Sequence, residues 1–352
     1  MIGLALEGGG ARGSYQIGAY YALKHSRIKI NGVSGTSIGS FNAAMIASGH
    51  EEELLKLWQN IDISSLLDLE GFKDIKISTL NKTFANIRKI LKNKGMDTSK
   101  LKKMVTDYLD LEKFYNSKIE YGLVTVKLNN LKPIYKYKED IPKDKIDDYI
   151  LASCYLPVFK FEKLIDGNYY LDGGFYDNSP VNMWFEKDYD KVYVVSLNSL
   201  GVKHRPIKKG KVIYIKPSRK LGSILNLNQQ QISDNIRLGY FDTLKVIKNL
   251  DGKKFCFKRR KDWYYKFLNR KVDKRTLNRI KQFFKTEDDK TMILKSLEFI
   301  MKLEDWSYFR IYSPLEVINI IKKDKKEKSI IYKYVKKLKF IWGEENGKSI
   351  RS

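Results

Sequence analysis

The first fifty residues contain two strand–turn–helix patterns in close succession, and each turn is rich in glycine. The apolar run Ile2–Leu6 predicts a buried strand, which ends in the loop GGGARG at 8–13 and is followed by a helical pattern at 15–24. A second strand is predicted at 28–34, and it leads through GTSIG at 35–39 into another helix. This rhythm is typical of a parallel sheet covered by helices, so the sequence predicts the α/β class.

The second turn has the pattern G-x-S-x-G, with Ser37 between Gly35 and Gly39. On a sharp strand-to-helix turn, this pattern exposes the serine hydroxyl for attack on a carbonyl carbon. The glycines suit a crowded backbone, and the N-terminus of the following helix favours the negative charge that develops there. Ser37 is therefore a candidate nucleophile for acyl transfer, which also requires a base and donors for the oxyanion.

The first turn offers such donors, because three successive glycines let backbone N–H groups approach a ligand without obstruction. We therefore expect Gly8, Gly9 and Gly10 to form an oxyanion nest. A nucleotide-binding loop is the competing interpretation, but the phosphate-loop pattern G-x-x-x-x-G-K-[ST] is absent and the dinucleotide spacing is met only loosely. Arg12 adds a positive charge that serves the oxyanion region or an anionic head group, or that only anchors the loop.

The base is the remaining group, and histidine is a poor candidate for it. His25 closes a predicted helix, His50 follows another, and His204 lies in a basic loop, so surface or capping roles explain all three better. Asp172 precedes two glycines and follows a short predicted strand at 168–171, which would direct its carboxylate into a cleft. Alone this pattern is weak, because Asp-Gly also forms ordinary turns.

Together these motifs resemble the patatin-like phospholipases, a family of lipid acyl hydrolases that use a Ser-Asp dyad. The GGGARG loop, the GTSIG turn and the DGG aspartate occur in the family's order, and the resemblance spans roughly residues 1–250. It implies a three-layer α/β/α fold with a central, mostly parallel sheet. It also implies specific roles for the residues above: nucleophile Ser37, base Asp172, an oxyanion hole at Gly8, Gly9 and Gly10 with Arg12, and elbow glycines Gly35 and Gly39.

The reaction implied by the resemblance is phospholipase A-type hydrolysis of fatty-acyl esters in membrane phospholipids. It proceeds through an acyl-enzyme on Ser37 and needs neither a metal nor an organic cofactor. Tyr155 departs from the family, which tends to have a small residue at this point, and we expect it to narrow or reshape the pocket. A lipid-binding or regulatory protein without turnover remains the alternative, although both dyad residues are present.

The charge of the chain is strongly positive, with 67 Lys and Arg against 41 Asp and Glu, a formal +26. Residues 251–352 hold 29 basic and 14 acidic residues, and their pattern is mainly helical and rich in aromatics. We therefore predict an acyl hydrolase domain at 1–250 and a basic helical extension at 251–352 that docks on an anionic membrane surface or forms a lid. The alternative is a helical subdomain that packs on the core and buries its tryptophans. A nucleic-acid-binding protein would explain the extension but not the three ordered motifs, so no nucleic-acid partner is expected.

Two features bear on where the protein acts. Cys154 and Cys256 belong to no disulfide framework or metal-binding pattern, which suits reduced thiols in the cytoplasm. No signal peptide or membrane-spanning stretch is evident, so we expect a cytoplasmic protein with peripheral membrane association. A basic amphipathic pattern at 80–92 predicts a further helix, which packs on the sheet, lies at a membrane or caps an active site.

Overall fold

The computed structural model describes residues 1–61, 97–157, 159–160, 162–208, 210–224, 228–324 and 329–339. The helix predicted at 80–92 lies outside these residues. The chain forms two compact units, residues 1–243 and 244–352.

The first unit is built on a seven-stranded sheet. Its strands are β1 Ile2–Leu6, β2 Gly32–Thr36, β3 Glu120–Lys127, β4 Lys132–Tyr137, β5 Tyr170–Asp172, β6 Lys191–Val195 and β7 Val212–Ile215. The order across the sheet is β4-β3-β2-β1-β6-β7, and β5 also pairs with β3. All pairings are parallel except those of β4 and β5, which run antiparallel to β3. The predicted α/β class with a mostly parallel sheet is confirmed.

Helices cover both faces of this sheet. They are α1 Ser14–His25, α2 Ile38–Ala47, α3 Glu51–Asn60, α4 Ser99–Tyr108, α5 Leu111–Asn116, α6 Ile146–Ser153, α7 Asn182–Glu186 and α8 Gln229–Ile247. Successive residues of a strand point to opposite faces, and β3 shows what lies on each. The Tyr121 hydroxyl donates to the Ser40 carbonyl of α2, whereas Met183 of α7 packs against Gly122. The result is the predicted three-layer α/β/α arrangement.

Strand β2 begins later than the sequence pattern predicted. Arg27 adopts a left-handed conformation, with φ 57°, and the Ile28 N–H donates to the Leu23 carbonyl at 3.0 Å. This is a helix C-terminal capping motif, so Ile28 completes α1 instead of starting the strand.

Strand β5 continues along β3 where β2 stops. The last residue of β2, Thr36, is paired with Val124 of β3, and the next residue of β3, Thr125, is paired with Asp172 of β5. Two strands therefore meet end to end on one side of a shared partner. Because Ser37 follows Thr36 directly, this pairing places it beside Asp172.

The second unit has a hydrophobic core of its own. Its elements are β8 Cys256–Phe257, α9 Asp262–Asn269, α10 Lys274–Phe284, α11 Asp289–Leu303, β9 Ile311–Tyr312, α12 Pro314–Lys323 and α13 Ile330–Lys337. The core combines aliphatic side chains with aromatic ones, of which Phe255, Tyr265, Tyr332 and Tyr334 are fully buried. The predicted helical character is confirmed, whereas the short parallel pair β8–β9 was not foreseen. In the described part of the chain, no helix combines the length and apolar character needed to cross a bilayer.

Candidate active site

The GTSIG turn forms a strained elbow between β2 and α2. Ser37 has φ 56° and ψ −133°, a conformation that costs a non-glycine residue on the order of 1–3 kcal/mol. Contacts on both sides hold it there. Its N–H donates to Ser153 Oγ at 2.9 Å, and its carbonyl accepts from Ser40 Oγ at 2.6 Å.

The two glycines of the motif are required because the backbone is crowded at this turn. A Cβ on Gly35 would lie 2.0 Å from the Gly39 carbonyl oxygen. A Cβ on Gly39 would in turn lie 2.5 Å from the Leu6 carbonyl oxygen at the end of β1. Neither backbone oxygen can move without disturbing the sheet or the helix, so both positions exclude a side chain.

Asp172 lies beside Ser37 and is 4% exposed. Its Oδ1 accepts from the Gly174 N–H at 2.7 Å, and its own N–H donates to the Tyr155 carbonyl at 2.8 Å. Burial raises the pKa of the Asp172 carboxyl from 3.8 to about 6, against the opposing effect of hydrogen bonds from the Ser37 hydroxyl and the Gly174 N–H. The carboxylate is therefore ionised at neutral pH yet more basic than an ordinary aspartate.

The GGGARG loop presents backbone donors to the same region, but its three glycines differ. The Gly8 N–H already donates to the Asn178 carbonyl at 3.2 Å. Within the described residues, the Gly9 and Gly10 N–H groups have no protein acceptor. Gly10 has φ 55°, and a Cβ there would lie 2.2 Å from the Ile224 carbonyl oxygen. The loop geometry thus leaves two amides available for a ligand.

Arg12 lies in the short 3-10 turn that follows the glycines, residues 10–13. Its Nε donates to the Gly222 carbonyl at 2.8 Å. Burial lowers the pKa of the guanidinium, and the nearby Glu7 carboxylate partly offsets this. Arg12 thus ties the loop to the 221–224 segment and keeps its positive charge beside the cavity described next.

A cavity of about 620 Å³ brings the two motifs and the aspartate together. Its walls include all six residues predicted for the dyad and the oxyanion hole: Gly8, Gly9, Gly10, Arg12, Ser37 and Asp172. The predicted elbow residues Gly35 and Gly39 lie behind Ser37 and shape the turn. The loop 198–202 adds to the walls beside the glycine loop, because the Ser199 hydroxyl donates to the Gly8 carbonyl.

A second, smaller cavity of about 90 Å³ also reaches Ser37. Apolar side chains form nearly all of its lining, among them Phe41, Trp58, Met104, Leu156 and Phe159. Ser37 is therefore accessible from a cavity with charged groups on one side and from an apolar cavity on the other. This arrangement suits an amphiphilic ligand whose reacting bond lies at the boundary.

Two residues of the site were not assigned a role from the sequence. Ser153 Oγ accepts from the Ser37 N–H and donates to the Val124 carbonyl at 2.7 Å, so it fixes the elbow to the sheet. The Asn178 side-chain amide donates to the Gly8 carbonyl at 3.4 Å and to the Leu200 carbonyl at 3.0 Å, so it connects the glycine loop to the loop 198–202. The sequence signals were the Ala-Ser pair at 152–153 and the Asn-Ser-Pro that follows the DGG.

The side chains of the three histidines and of Tyr155 are not among the residues that line the two cavities. His25 is near the Tyr240 hydroxyl, His50 is at the start of α3, and His204 stacks on Tyr176. The Tyr155 ring packs edge-on against Phe159, which lines the apolar cavity, so the expectation that Tyr155 narrows or reshapes the pocket stays a prediction that acts through Phe159. In the described ranges, no group of three or more acidic, histidine or cysteine side chains is placed to hold a metal ion.

The fold and this geometry define an α/β protein with a serine at a strand–helix elbow and a buried aspartate beside it. The chain belongs to the patatin-like phospholipase family, whose family model matches residues 4–184, just over half of the chain.

Individual relatives match either a part of this chain or most of it at low similarity. An uncharacterised protein of Acanthamoeba polyphaga mimivirus, R571, is 30% identical over 196 residues, which are 53% of this chain and 62% of that protein. The lysophospholipase nte1 of Aspergillus terreus is 52% identical over 46 residues, which are 13% of this chain and 3% of that protein. The chain therefore spans less than two thirds of either relative.

Among solved structures, VipD from Legionella pneumophila has a TM-score of 0.48 at 16% identity, with 95% of this chain and 83% of that chain covered. ExoU of Pseudomonas aeruginosa, solved in complex with SpcU, has a TM-score of 0.33 at 14% identity, with coverage of 95% and 70%.

Proposed function

We propose that this protein is a phospholipase A-type lipid acyl hydrolase, with Ser37 as the nucleophile and Asp172 as the base. The observation that carries the proposal is the strained Ser37 elbow beside a buried carboxylate whose pKa is raised to about 6. A base with a pKa near the working pH is effective in proton transfer. The family assignment supports the same chemistry.

In the proposed first half-reaction, the Ser37 hydroxyl transfers its proton to Asp172 while Oγ attacks the ester carbonyl carbon. The Gly9 and Gly10 N–H groups donate to the resulting oxyanion, and Gly8 holds the loop through Asn178. The tetrahedral intermediate then expels the alcohol or lysolipid, which takes the proton back from Asp172.

In the second half-reaction, water attacks the acyl-enzyme with Asp172 again as the base. The ester bond to Ser37 breaks, the fatty acid leaves, and Oγ regains a proton. The chemistry balances without a metal or an organic cofactor. The apolar cavity lined by Trp58 and Met104 would hold the start of the acyl chain, while the larger cavity with Arg12 would hold the polar part of the lipid.

The wider assignments are proposals of the same kind. We propose that 1–250 is the hydrolase domain and that the basic region 251–352 brings it to anionic membrane surfaces, where its phospholipid substrates are found. Each basic side chain close to such a surface contributes about 1 kcal/mol. Peripheral rather than integral association is consistent with the lack of a bilayer-crossing helix among the described residues.

The test is fatty-acid release from liposomes of mixed anionic lipids by the wild type, Ser37→Ala and Asp172→Asn. Asp177→Asn is the matched control, because Asp177 is equally buried and only five residues away but lies outside both cavities. Wild type and the control should release fatty acid, and both dyad variants should lose release while remaining folded by circular dichroism.

Two results would contradict the proposal. Release that survives either dyad substitution would remove that residue from the mechanism. A wild type that releases nothing from any phospholipid would replace hydrolysis by lipid binding without turnover.

A further inference from the structure

Helix α9 in the second unit has an outer face unlike that of an ordinary solvated helix. The side chains of Tyr264, Tyr265, Leu268 and Asn269 are buried. The opposite side, at helical spacing i, i+3, i+4 and i+7, carries Trp263, Lys266, Phe267 and Arg270. Trp263 is 64% exposed, which is unusual for a tryptophan in a helix that has a core to pack against.

Basic residues from two other elements adjoin this face. The Lys339 N–H donates to the Leu268 carbonyl at 2.7 Å, and its ammonium lies 3.9 Å from the centre of the Phe267 ring. Lys337, the last residue of α13, forms an ion pair of 2.7 Å with Asp273. Asp273 immediately precedes Lys274, the first residue of α10. We call the surface formed by Trp263, Lys266, Phe267, Arg270, Lys274 and Lys339 the basic face.

Three basic side chains of this surface are not neutralised by acids in the described part of the chain. Lys266, Arg270 and Lys274 have no ion-pair partner among the residues that the structure describes. The one acid between them, Asp273, is already bound to Lys337 and caps α10 through the Thr276 N–H. Asp289 and Asp251 lie on the inner side of α9, where Asp289 accepts from Asn269 at 3.0 Å and Asp251 accepts from the Tyr265 hydroxyl at 3.3 Å.

We propose that the basic face is the surface by which this protein docks on an anionic lipid bilayer. An indole and a phenyl ring surrounded by unpaired lysine and arginine side chains match the headgroup region, where aromatic rings sit between acyl chains and water. The long basic side chains can place their methylene stems on lipid while their charges contact lipid phosphates. Single-stranded nucleic acid is the main alternative partner, but its binding sites combine a basic groove with aromatic rings on which bases stack. Here the two rings lie on the exposed side of a single helix.

This inference rests on the proposed function only in the choice of lipid as the partner, and binding can be measured without turnover. Co-sedimentation of the wild type with phosphatidylcholine vesicles, with and without phosphatidylserine, gives the partition coefficient and its salt dependence. The test variant is K266Q/R270Q/K274Q, in which all three replaced side chains are exposed, so the fold should tolerate it.

The matched control is K253Q/K254Q/K302Q, which removes the same charge from exposed lysines elsewhere in the second unit. Lys253 and Lys254 adjoin Glu298 near the C-terminal end of α11. Lys302 is thirteen residues from Asp289, or about 20 Å along the helix, which is more than the Debye length of about 8 Å at physiological salt. The control should therefore retain most of the binding.

We expect the wild type to bind vesicles that contain phosphatidylserine, with binding weakened by salt, and K266Q/R270Q/K274Q to bind about 100-fold more weakly. Trp263→Ala should weaken binding to the same vesicles at high and low salt alike, because the indole contributes through burial. Both variants should hydrolyse a soluble short-chain ester as the wild type does, so a failure of docking is separable from a failure of catalysis.

Equal losses of vesicle binding in the test and control triple variants would mean that only the net charge of the protein matters. The proposal that the basic face is the docking surface would then be wrong. Wild-type protein that binds single-stranded RNA but not anionic vesicles would assign this surface to nucleic acid instead.

Discussion

The buried carboxylate at Asp172 carries a cost in folding stability that a conservative substitution should relieve. Its pKa is about 6 in the folded protein against 3.8 for a free aspartate. The folded state therefore binds a proton more tightly than the unfolded state, and stability falls as pH rises from about 4 to about 6. Above about pH 6 the folded protein carries the whole cost of burying the ionised carboxylate. A pKa difference of about two units corresponds to about 3 kcal/mol of folding stability.

Asp172→Asn removes the titrating group and keeps its shape. In the wild type the Gly174 N–H donates to Asp172 Oδ1 at 2.7 Å. The asparagine oxygen can accept the same hydrogen bond, and its NH2 group can donate to Ser37 Oγ. The variant should therefore be more stable than the wild type at pH 8, and this advantage should shrink by about 1–2 kcal/mol at pH 5. The sign follows because the wild-type carboxyl becomes protonated at low pH and its burial then costs little.

Urea unfolding of both proteins at pH 5 and pH 8, followed by circular dichroism, measures the difference. Asp144→Asn is the control, because Asp144 is exposed and the same exchange there should change stability equally at both pH values. A stability difference that does not grow with pH would mean that Asp172 is not a desolvated carboxylate. The argument that it is a tuned base would then fail.

Three other predictions concern activity. Because Asp172 must be ionised to accept a proton, kcat/KM for a soluble ester should fall as pH drops through about 6. The same fall should be seen in Asp177→Asn. A wild-type kcat/KM that begins to fall only below pH 5 would contradict the assignment of Asp172 as the base. Ser153→Ala strands the buried Ser37 N–H, which costs about 1–3 kcal/mol and should lower kcat. Ser48→Ala should not lower kcat, because the bonds it loses, to the Met45 carbonyl and to His50 Nδ1, involve residues that line neither cavity; equal kcat in the two variants would refute the positioning role. Gly10→Ala should lower kcat at least about 100-fold by displacing an oxyanion donor, while Gly49→Ala, with φ 75° but open space around it, should cost stability alone; matching losses of activity would point to backbone strain instead.

The glycine loop and the serine elbow could be predicted from sequence because each is determined by local backbone chemistry. Gly35 is fixed by its contact with Gly39, four residues later, and such a local contact leaves a recognisable pattern, whereas the contact of Gly39 with the Leu6 carbonyl is seen only in the fold. The start of β2 could not be predicted in the same way, because Ile28 is as apolar as a strand residue. Only the capping bond from its N–H to the Leu23 carbonyl shows that it belongs to α1.

Non-local contacts account for what the sequence did not reveal. The Gly8 N–H donates to the carbonyl of Asn178, 170 residues later in the chain. Which of the three glycine N–H groups remain available for a ligand is therefore visible only in the folded protein. The direction of the Tyr155 ring depends on a cluster with Phe159 and Leu151 rather than on the motif around it. The two-residue strands β8 and β9 are too short to produce a periodic pattern.

The end-to-end meeting of β2 and β5 on β3 means that the spacing between Ser37 and Asp172 is set by sheet register. A slip of β5 by one residue would turn Asp172 to the opposite face of the sheet. By contrast, the 134 residues that separate the two in sequence, 38 to 171, can gain or lose length without moving either, as long as the pairing of Thr125 with Asp172 is kept. Diversification of this protein is therefore expected to concentrate in that intervening stretch, where changes in length alter what surrounds the dyad but not the dyad itself.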